Sequence, residues 1–284
     1  MKLSIIIPAY NEAEGLVSTL DILKKVLKDF IYEVIIVDDG STDNTVEIAE
    51  KAGARVIAHP INMGYGRSLK TGIANAKYEI ICITDADGTY PLEKIPELLT
   101  EFKKGFDMVV GQRTGKEFHG NFLKHPSRRI FRWLCEFAVG KKIPDINSGL
   151  RIFNKSTAEK YFDILCDGFS FTTTITLAYM FEGYFVKYLE IPYYKRYGVS
   201  KVHYLRDTLR VTQIITEAIL YFNPLKIFLV LSGLVLFLSF IFLGIGAYFQ
   251  YTTAIWLFVL CFISSILIFA MGLQADLLRK IKDK

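Results

Sequence analysis

An apolar run, Ile80-Ile81-Cys82-Ile83, opens into Thr84-Asp85-Ala86-Asp87-Gly88-Thr89 and so sets two carboxylates one residue apart at the mouth of a buried segment. Alternate side chains of an extended segment point the same way, so Asp85 and Asp87 share a side. Such a pair suits a hard divalent cation, because Mg2+ or Mn2+ takes a few carboxylate oxygens and completes its shell with water and phosphate oxygens. Asp and Gly are also ordinary turn residues, and an isolated pair is more often the plain start of a loop. The rest of the chain decides between the two.

The run before Asp85 is continuously apolar, as in a parallel strand covered on both faces. Over residues 1–112, short β-branched runs alternate with amphipathic stretches, the pattern of βαβ units and a mostly parallel, doubly wound α/β sheet. Strands are expected at Leu3 to Pro8, Glu33 to Asp38, Arg55 to His59, Glu79 to Thr84 and Asp107 to Gly111. Ser41, Thr42 and Asp43 suit a helix N-cap, and Pro91 the first turn of a helix. Ligands of such sheets bind outside the carboxyl ends of the strands. A polar cluster follows every expected strand: Pro8 to Glu12, Asp38 to Ser41, Asn62 to Gly64, Asp85 with Asp87, and Gln112-Arg113. Five clusters on one rim point to a ligand site rather than to helix caps alone.

Gly64-Tyr65-Gly66-Arg67-Ser68-Leu69 lacks the third glycine of a dinucleotide fingerprint and follows the third strand rather than the first, and no P-loop sequence occurs. Asp38 and Asp39 point apart as neighbours on a strand, so at most one faces the site, and Asp39 is expected to meet hydroxyls or base N–H groups. A nucleotide would then be bound by carboxylates, a metal and loop backbone.

Among 284 residues, 51% are hydrophobic, with the excess at the C-terminus, and the net charge of +5 is too modest to imply nucleic acid. Basic residues of the second half lie among apolar and aromatic ones, as in membrane-surface proteins. Cys82, Cys135, Cys166 and Cys261 are far apart and lack any Cys-x-x-Cys spacing, so neither a zinc site nor a disulfide framework is indicated and a reducing compartment fits. The first segment reads as a strand, so no secretory signal is expected.

Pro8-Ala9-Tyr10-Asn11-Glu12, Val37-Asp38-Asp39-Gly40-Ser41-Thr42-Asp43, Asp85-Ala86-Asp87 and Gly111-Gln112-Arg113, in this order and spacing, resemble the family 2 glycosyltransferases of GT-A fold. The resemblance extends over roughly residues 1–225 and is greatest to the dolichol-phosphate mannose synthase branch. It implies that Pro8, Tyr10, Glu12 and Asp39 hold the base and ribose of a nucleotide sugar, GDP- or UDP-linked. Val37, Ala86 and Thr89 would complete the donor site, while Asp85 and Asp87 hold the metal and donor diphosphate. Mannose synthases often carry Gln where this chain has Thr89, so the sugar is left open.

Asp145-Ile146-Asn147-Ser148-Gly149-Leu150-Arg151 matches the family's Asp-x-x-Ser-Gly-x-Arg signature, and Arg196-Tyr197-Gly198-Val199-Ser200-Lys201 resembles its loop over the donor diphosphate. Arg196 and Lys201 would stabilise that leaving group. Asp145 joins Asp87 and Arg113 as a catalytic candidate. Arg113, Arg128, Arg129, Ser148 and Arg151 are candidates for the acceptor phosphate, with Arg151 equally able to serve as an ion-pair partner of Asp145. His125 to Leu134 interleaves cations with large apolar residues, as an interfacial helix would. Relatives often carry Glu near Phe169 to Ile175, where this chain has Thr172, Thr173 and Thr174.

Ile227 to Phe249 and Ala254 to Ala275 contain no charged residue, and each can cross about 30 Å of hydrocarbon. Lys226 precedes this hairpin, and Arg279, Lys280, Lys282 and Lys284 follow it, so the positive-inside rule places the catalytic part and both termini in the cytoplasm. The expected organisation is a nucleotide-sugar-binding half (1–112), an acceptor-binding half (113–202), a juxtamembrane amphipathic helix (203–225) and a transmembrane hairpin with a basic tail (226–284). Short membrane hairpins often associate, so a homo-oligomer is possible.

The resemblance implies inverting, metal-dependent transfer of a sugar to a dolichyl or undecaprenyl phosphate at the cytoplasmic membrane face. A processive polysaccharide synthase would carry Gln-x-x-Arg-Trp after the acceptor motif and more spans, whereas Arg129-Ile130-Phe131-Arg132-Trp133 lies before Asp145. A non-catalytic membrane scaffold would keep the fold without the chemistry.

Overall fold

The computed structural model describes residues 2–115, 125–168, 170–195, 213, 216–217 and 219–282, without the side chains of 125–128 and 130. The chain forms two compact units, Met1–Ile214 and Ile215–Lys284.

In the first unit, β1 (Lys2–Ala9), β2 (Ile31–Asp38), β3 (Arg55–Ala58), β4 (Ile80–Ile83), β5 (Met108–Thr114), β6 (Arg151–Asn154) and β7 (Val186–Pro192) form one sheet in the order β3-β2-β1-β4-β6-β5-β7. All pairings are parallel except those of β6, which runs antiparallel between β4 and β5. The ends of β1 to β5 therefore open on one rim, as the sequence predicts. β5 runs on to Thr114, so Gln112 and Arg113 are strand residues rather than the loop expected after Gly111. Neither β6 nor β7 is anticipated by the sequence.

Helices cover both faces because the strands are apolar on both. Ile5, Ile7 and Cys82 pack with α1 (Ala13–Val26), α2 (Thr45–Lys51) and α4 (Ile95–Phe102) in one cluster. Ile6, Ile81 and Ile83 pack with α3 (Tyr65–Ala74) and, after α5 (His125–Val139) and α6 (Lys155–Glu159), with α7 (Phe171–Phe181) in the other. Each such buried side chain contributes about 1.5–3 kcal/mol relative to exposure. Of the expected caps, Asp43 accepts the Thr45 N–H at 3.0 Å, and Ser41 and Thr42 instead bind the first loop. Pro91 precedes a 3-10 turn, Leu92–Lys94, while Pro96 sits in the first turn of α4.

The start of α3 is pinned by the loop before α7. The N–H groups of Gly66 and Arg67 donate to the carbonyls of Gly168 (3.1 Å) and Asp167 (2.8 Å), satisfying helix-start donors that lack partners within the helix. Lys70 pairs with Asp167 at 2.7 Å. A Cβ on Gly66 would lie 2.0 Å from the Cys166 carbonyl oxygen, a backbone atom that cannot rotate away. Gly66→Ala is therefore expected to destabilise the first unit by about 1–3 kcal/mol, as overpacking does. Thermal unfolding checks this, and an unchanged melting temperature would show that the close approach is absent.

The second unit holds α8 (Pro224–Phe249) and α9 (Thr252–Lys282), each long and apolar enough to cross a membrane. Between them, Gln250 takes φ +56°, a helix-ending left-handed conformation. Small residues let the two backbones approach: Ser265 Oγ donates to the Ser232 carbonyl at 3.0 Å, and a Cβ on Gly272 would lie 2.5 Å from Phe228 Cβ. Leu234, Phe237, Trp256, Leu260 and Leu267 point outward and are exposed, so both helices are apolar around most of their circumference.

Candidate active site

Asp85 continues the side of β4 that faces α3, and Tyr65, the first residue of α3, donates its phenol to Asp85 Oδ1 at 2.9 Å. Burial first, and then the Asp85 charge, raises the Tyr65 phenol well above its ordinary pKa, so it stays a proton donor. On the other flank, a Cβ on Gly149 would lie 2.9 Å from Asp85 Oδ2, so a side chain there would displace the carboxylate. The Gly149 N–H is in turn fixed by Tyr90 Oη at 2.6 Å.

Asp87 is held within its own turn, where Gly88 takes φ +72° and Asp87 Oδ1 accepts from Thr89 Oγ1 (2.6 Å) and N–H (3.1 Å). Ala86 turns away, its carbonyl against Gly15 and accepting from Thr19 Oγ1 at 3.3 Å. Tyr193 lies within electrostatic reach of both acids. Its phenol is raised by burial and, in lesser measure, by both Asp87 and Asp85, with Arg113 opposing. Among the described residues no group of three metal-ligating side chains occurs. A two-carboxylate donor set steadied by neutral hydroxyls fits Mg2+ or Mn2+, which draw their other ligands from water and phosphate.

The loops after β1, β2 and β3 are tied together beside this pair. Asn11, at φ +51°, donates its N–H to Ser41 Oγ (2.9 Å) and accepts from Thr42 N–H at Oδ1 (2.8 Å), and the Glu12 N–H reaches Thr45 Oγ1 (3.1 Å). Tyr10 and Glu12 are thereby left half-buried on the first loop. Asp39 is buried at the end of β2 and accepts His59 Nδ1 (2.8 Å), Met63 N–H (2.9 Å) and Gly64 N–H (2.8 Å). Asp38 accepts the Ser41 N–H at Oδ2 (3.1 Å), while its Oδ1 is buried with no hydrogen-bond partner.

At the end of β5, Arg113 clasps Asp145 through Nε (2.8 Å to Oδ2) and Nη2 (2.9 Å to Oδ1), and its own N–H reaches Oδ2 at 3.1 Å. The guanidinium lies over the Tyr193 ring at 5.2 Å. Burial would lower the Arg113 pKa, but Tyr90 and Asp145 outweigh it and the group stays charged.

A family profile described as "Glycosyl transferase family 2" matches residues 4–162. The chain belongs to glycosyl transferase family 2. Its similar relatives include the undecaprenyl-phosphate 4-deoxy-4-formamido-L-arabinose transferase of Serratia proteamaculans, 31% identical over 166 residues, 56% of this chain and 50% of that protein. The dolichyl-phosphate hexose transferase of Haloferax volcanii is 30% identical over 202 residues, 70% of this chain and 86% of that one. The chain thus spans about half the length of the first and most of the second. The structure of glucosyl-3-phosphoglycerate synthase from Mycobacterium tuberculosis with Mn2+, UDP and phosphoglyceric acid has a TM-score of 0.61 at 18% identity, covering 77% of this chain and 78% of that one. That likeness shows the fold, which is GT-A.

Within this family 2 sheet, the rim brings together Tyr10, Glu12, Asp39, Asp85, Asp87 and Thr89 on the loops after β1, β2 and β4, whereas Pro8, expected there, is a buried residue of β1 itself, paired with Val37. Several expectations change. Arg151 is fully buried and cannot touch an acceptor phosphate. β6 inserts between β4 and β5, so its first residue lies beneath the rim. Its guanidinium donates to the carbonyls of Ser148, Ile146 and Thr172 and to Thr176 Oγ1, and Asp145 pairs with Arg113 instead. Ser148 is likewise buried, its hydroxyl donating to the Gly111 carbonyl at 2.6 Å. Val37 packs in the core, so its side chain offers nothing to a donor, and Thr89 serves Asp87 directly. Arg129 is exposed on α5, whereas Arg196, Lys201, the Arg128 side chain and most of residues 203–225, where an amphipathic helix is expected, lie outside the described residues.

Tyr65, Tyr90, Tyr193, His59 and Gly149 are site residues not singled out from sequence for these roles. Tyr65 sits in the glycine stretch that fails as a dinucleotide motif, and Gly149 within the Asp145 signature. The tyrosines and His59 carried no spacing signal.

Proposed function

We propose that this family 2 protein transfers a sugar from a nucleotide sugar to a polyprenyl phosphate at a membrane surface. The observation that carries this reading is the steadied Asp85 and Asp87 pair on the rim of a family 2 sheet, in a chain that also holds two membrane-length apolar helices. Both relatives named above are, by their names, transferases onto polyprenyl phosphates.

In this reading Pro8, Tyr10, Glu12 and Asp39 bind the base and ribose, and Asp85 and Asp87 would hold Mg2+ or Mn2+. The metal would supply positive charge to the departing diphosphate. Arg196 and Lys201 add cations there. A phosphate monoester has its second pKa at about 6, so the acceptor carries its nucleophilic charge at neutral pH and needs no general base. Arg113, locked in one orientation by Asp145, and the α5 arginines hold that phosphate, and single displacement inverts the anomeric carbon. Trp133 is exposed and stacks on Phe137 at 5.8 Å, with Arg129 and Arg132 exposed beside it, which supports α5 as the face toward lipid head groups. Residues 1–112 form the donor half and 113–202 the acceptor half, both on the cytoplasmic side with the basic tail.

The test is release of nucleoside diphosphate by the full chain in vesicles. It should require both Mn2+ or Mg2+ and the polyprenyl phosphate, and release that ignores chelation would remove this reading. Tyr65→Phe, which removes the Tyr65 hydrogen bond to Asp85 Oδ1 and keeps the ring, should weaken the apparent Mn2+ affinity about tenfold, as loss of a partner of a metal ligand does. Manganese titration of the rate reads this directly, and an unchanged midpoint would exclude Tyr65 from the metal site.

A further inference from the structure

We propose that the donor nucleotide carries uracil rather than guanine, an inference that rests on reading Asp39 as the base-recognising carboxylate. An ionised carboxylate accepts at about four lone-pair positions. At Asp39 three are taken: Oδ1 accepts His59 Nδ1 and the Met63 N–H, and Oδ2 accepts the Gly64 N–H. A carboxylate only accepts, so His59 Nδ1 carries the hydrogen, while Nε2 meets Thr71 Oγ1 at 3.0 Å and fixes the ring. Oδ1 is saturated, and one position remains, on Oδ2.

That remaining position matches one N–H donor. Uracil presents a single one on its pairing edge, the ring N3–H between two carbonyls. Guanine presents two adjacent donors, the ring N1–H and the exocyclic amino group, spaced to use both oxygens of one carboxylate. At Asp39 the second of these meets a saturated oxygen and leaves water without a partner, the kind of mismatch that sites discriminate against most strongly. The amino groups of cytosine and adenine carry a second hydrogen with the same difficulty.

The loop that fills these positions is fixed in place. The His59 N–H donates to the Asp38 carbonyl at 2.8 Å. Gly40, at φ +79°, packs so closely under the loop that a Cβ there would lie 3.0 Å from the Ile61 carbonyl carbon and 3.1 Å from the Asn62 nitrogen. Opening a second position on Asp39 would break these contacts together.

The experiment is calorimetric titration of the full chain in detergent with UDP and with GDP, each with Mn2+. UDP should bind at least about tenfold more tightly, and equal or tighter binding of GDP overturns the proposal. His59→Phe keeps an aromatic ring, though a slightly larger one, and frees a position on Oδ1, so the UDP preference should fall several-fold. An unchanged preference in a variant that melts like the parent contradicts the lone-pair account, and if the variant does not fold the parent titration still decides. If only a GDP-linked sugar is transferred to polyprenyl phosphate, the base inference fails and the transferase reading stands. Tight UDP binding without transfer from any donor does the reverse.

Discussion

Arg113→Ala is expected to abolish measurable sugar transfer and to destabilise the first unit by about 3–5 kcal/mol, the cost of leaving a buried charge without its partner. The Asp145 side chain is 3% exposed and receives three hydrogen bonds from Arg113, so nothing but water could replace them. Removing the arginine also releases Tyr193, whose ring lies under the guanidinium and whose phenol feels both Asp85 and Asp87. Loss of stability and loss of transfer thus share one cause. Arg113→Lys separates them: it keeps the charge but not the two-pronged fork, so it should recover part of the stability and little of the rate. Chemical denaturation alongside transfer rates checks both, and an alanine variant as stable as the parent would mean the clasp is not formed.

Asp87→Asn is expected to lower transfer at least about a thousandfold while leaving the melting temperature within a few degrees, since electrostatic stabilisation of the leaving group is the largest single contribution to such a reaction. The amide has the same shape, and its oxygen still accepts from Thr89 Oγ1 and N–H, so the turn closed by Gly88 survives. What is lost is one of two negative charges available to a divalent cation. A variant that keeps a tenth of the parent rate would show that Asp87 does not carry the metal.

Much of this architecture was legible before any coordinates. Continuous apolar runs such as Ile5 to Ile7 and Ile80 to Ile83 announce strands buried on both faces, and a polar cluster after each run places the rim. β6 was not legible, because Arg151-Ile152-Phe153-Asn154 is four residues with no period, and its antiparallel insertion is set by neighbours far away in sequence. That insertion decides the fate of Arg151, which from sequence could equally bind phosphate or pair with Asp145, and which is a core cation that does neither. Burial lowers its pKa, and carbonyl oxygens satisfy it in place of a carboxylate. Where relatives often carry an acid, the chain has threonines with local partners: the Thr172 backbone carbonyl accepts from Arg151, Thr173 Oγ1 donates to Asn147 Oδ1 at 2.6 Å, and Thr174 Oγ1 accepts the Cys166 N–H at 3.2 Å, and nothing in the structure explains the change of residue type. Long-range partners such as Tyr65 with Asp85 or His59 with Asp39 leave no spacing in the chain to read.

The central claim is tested most directly by following a radiolabelled sugar into lipid. Membranes holding the full chain would be incubated with Mn2+, a polyprenyl phosphate and a panel of nucleotide sugars, with Asp87→Ala as the blank. Acid-labile label in the lipid phase from one donor, absent from the blank and from samples without polyprenyl phosphate, is the predicted result. Label only in a growing polymer, or no transfer from any donor while the protein remains folded, would contradict it.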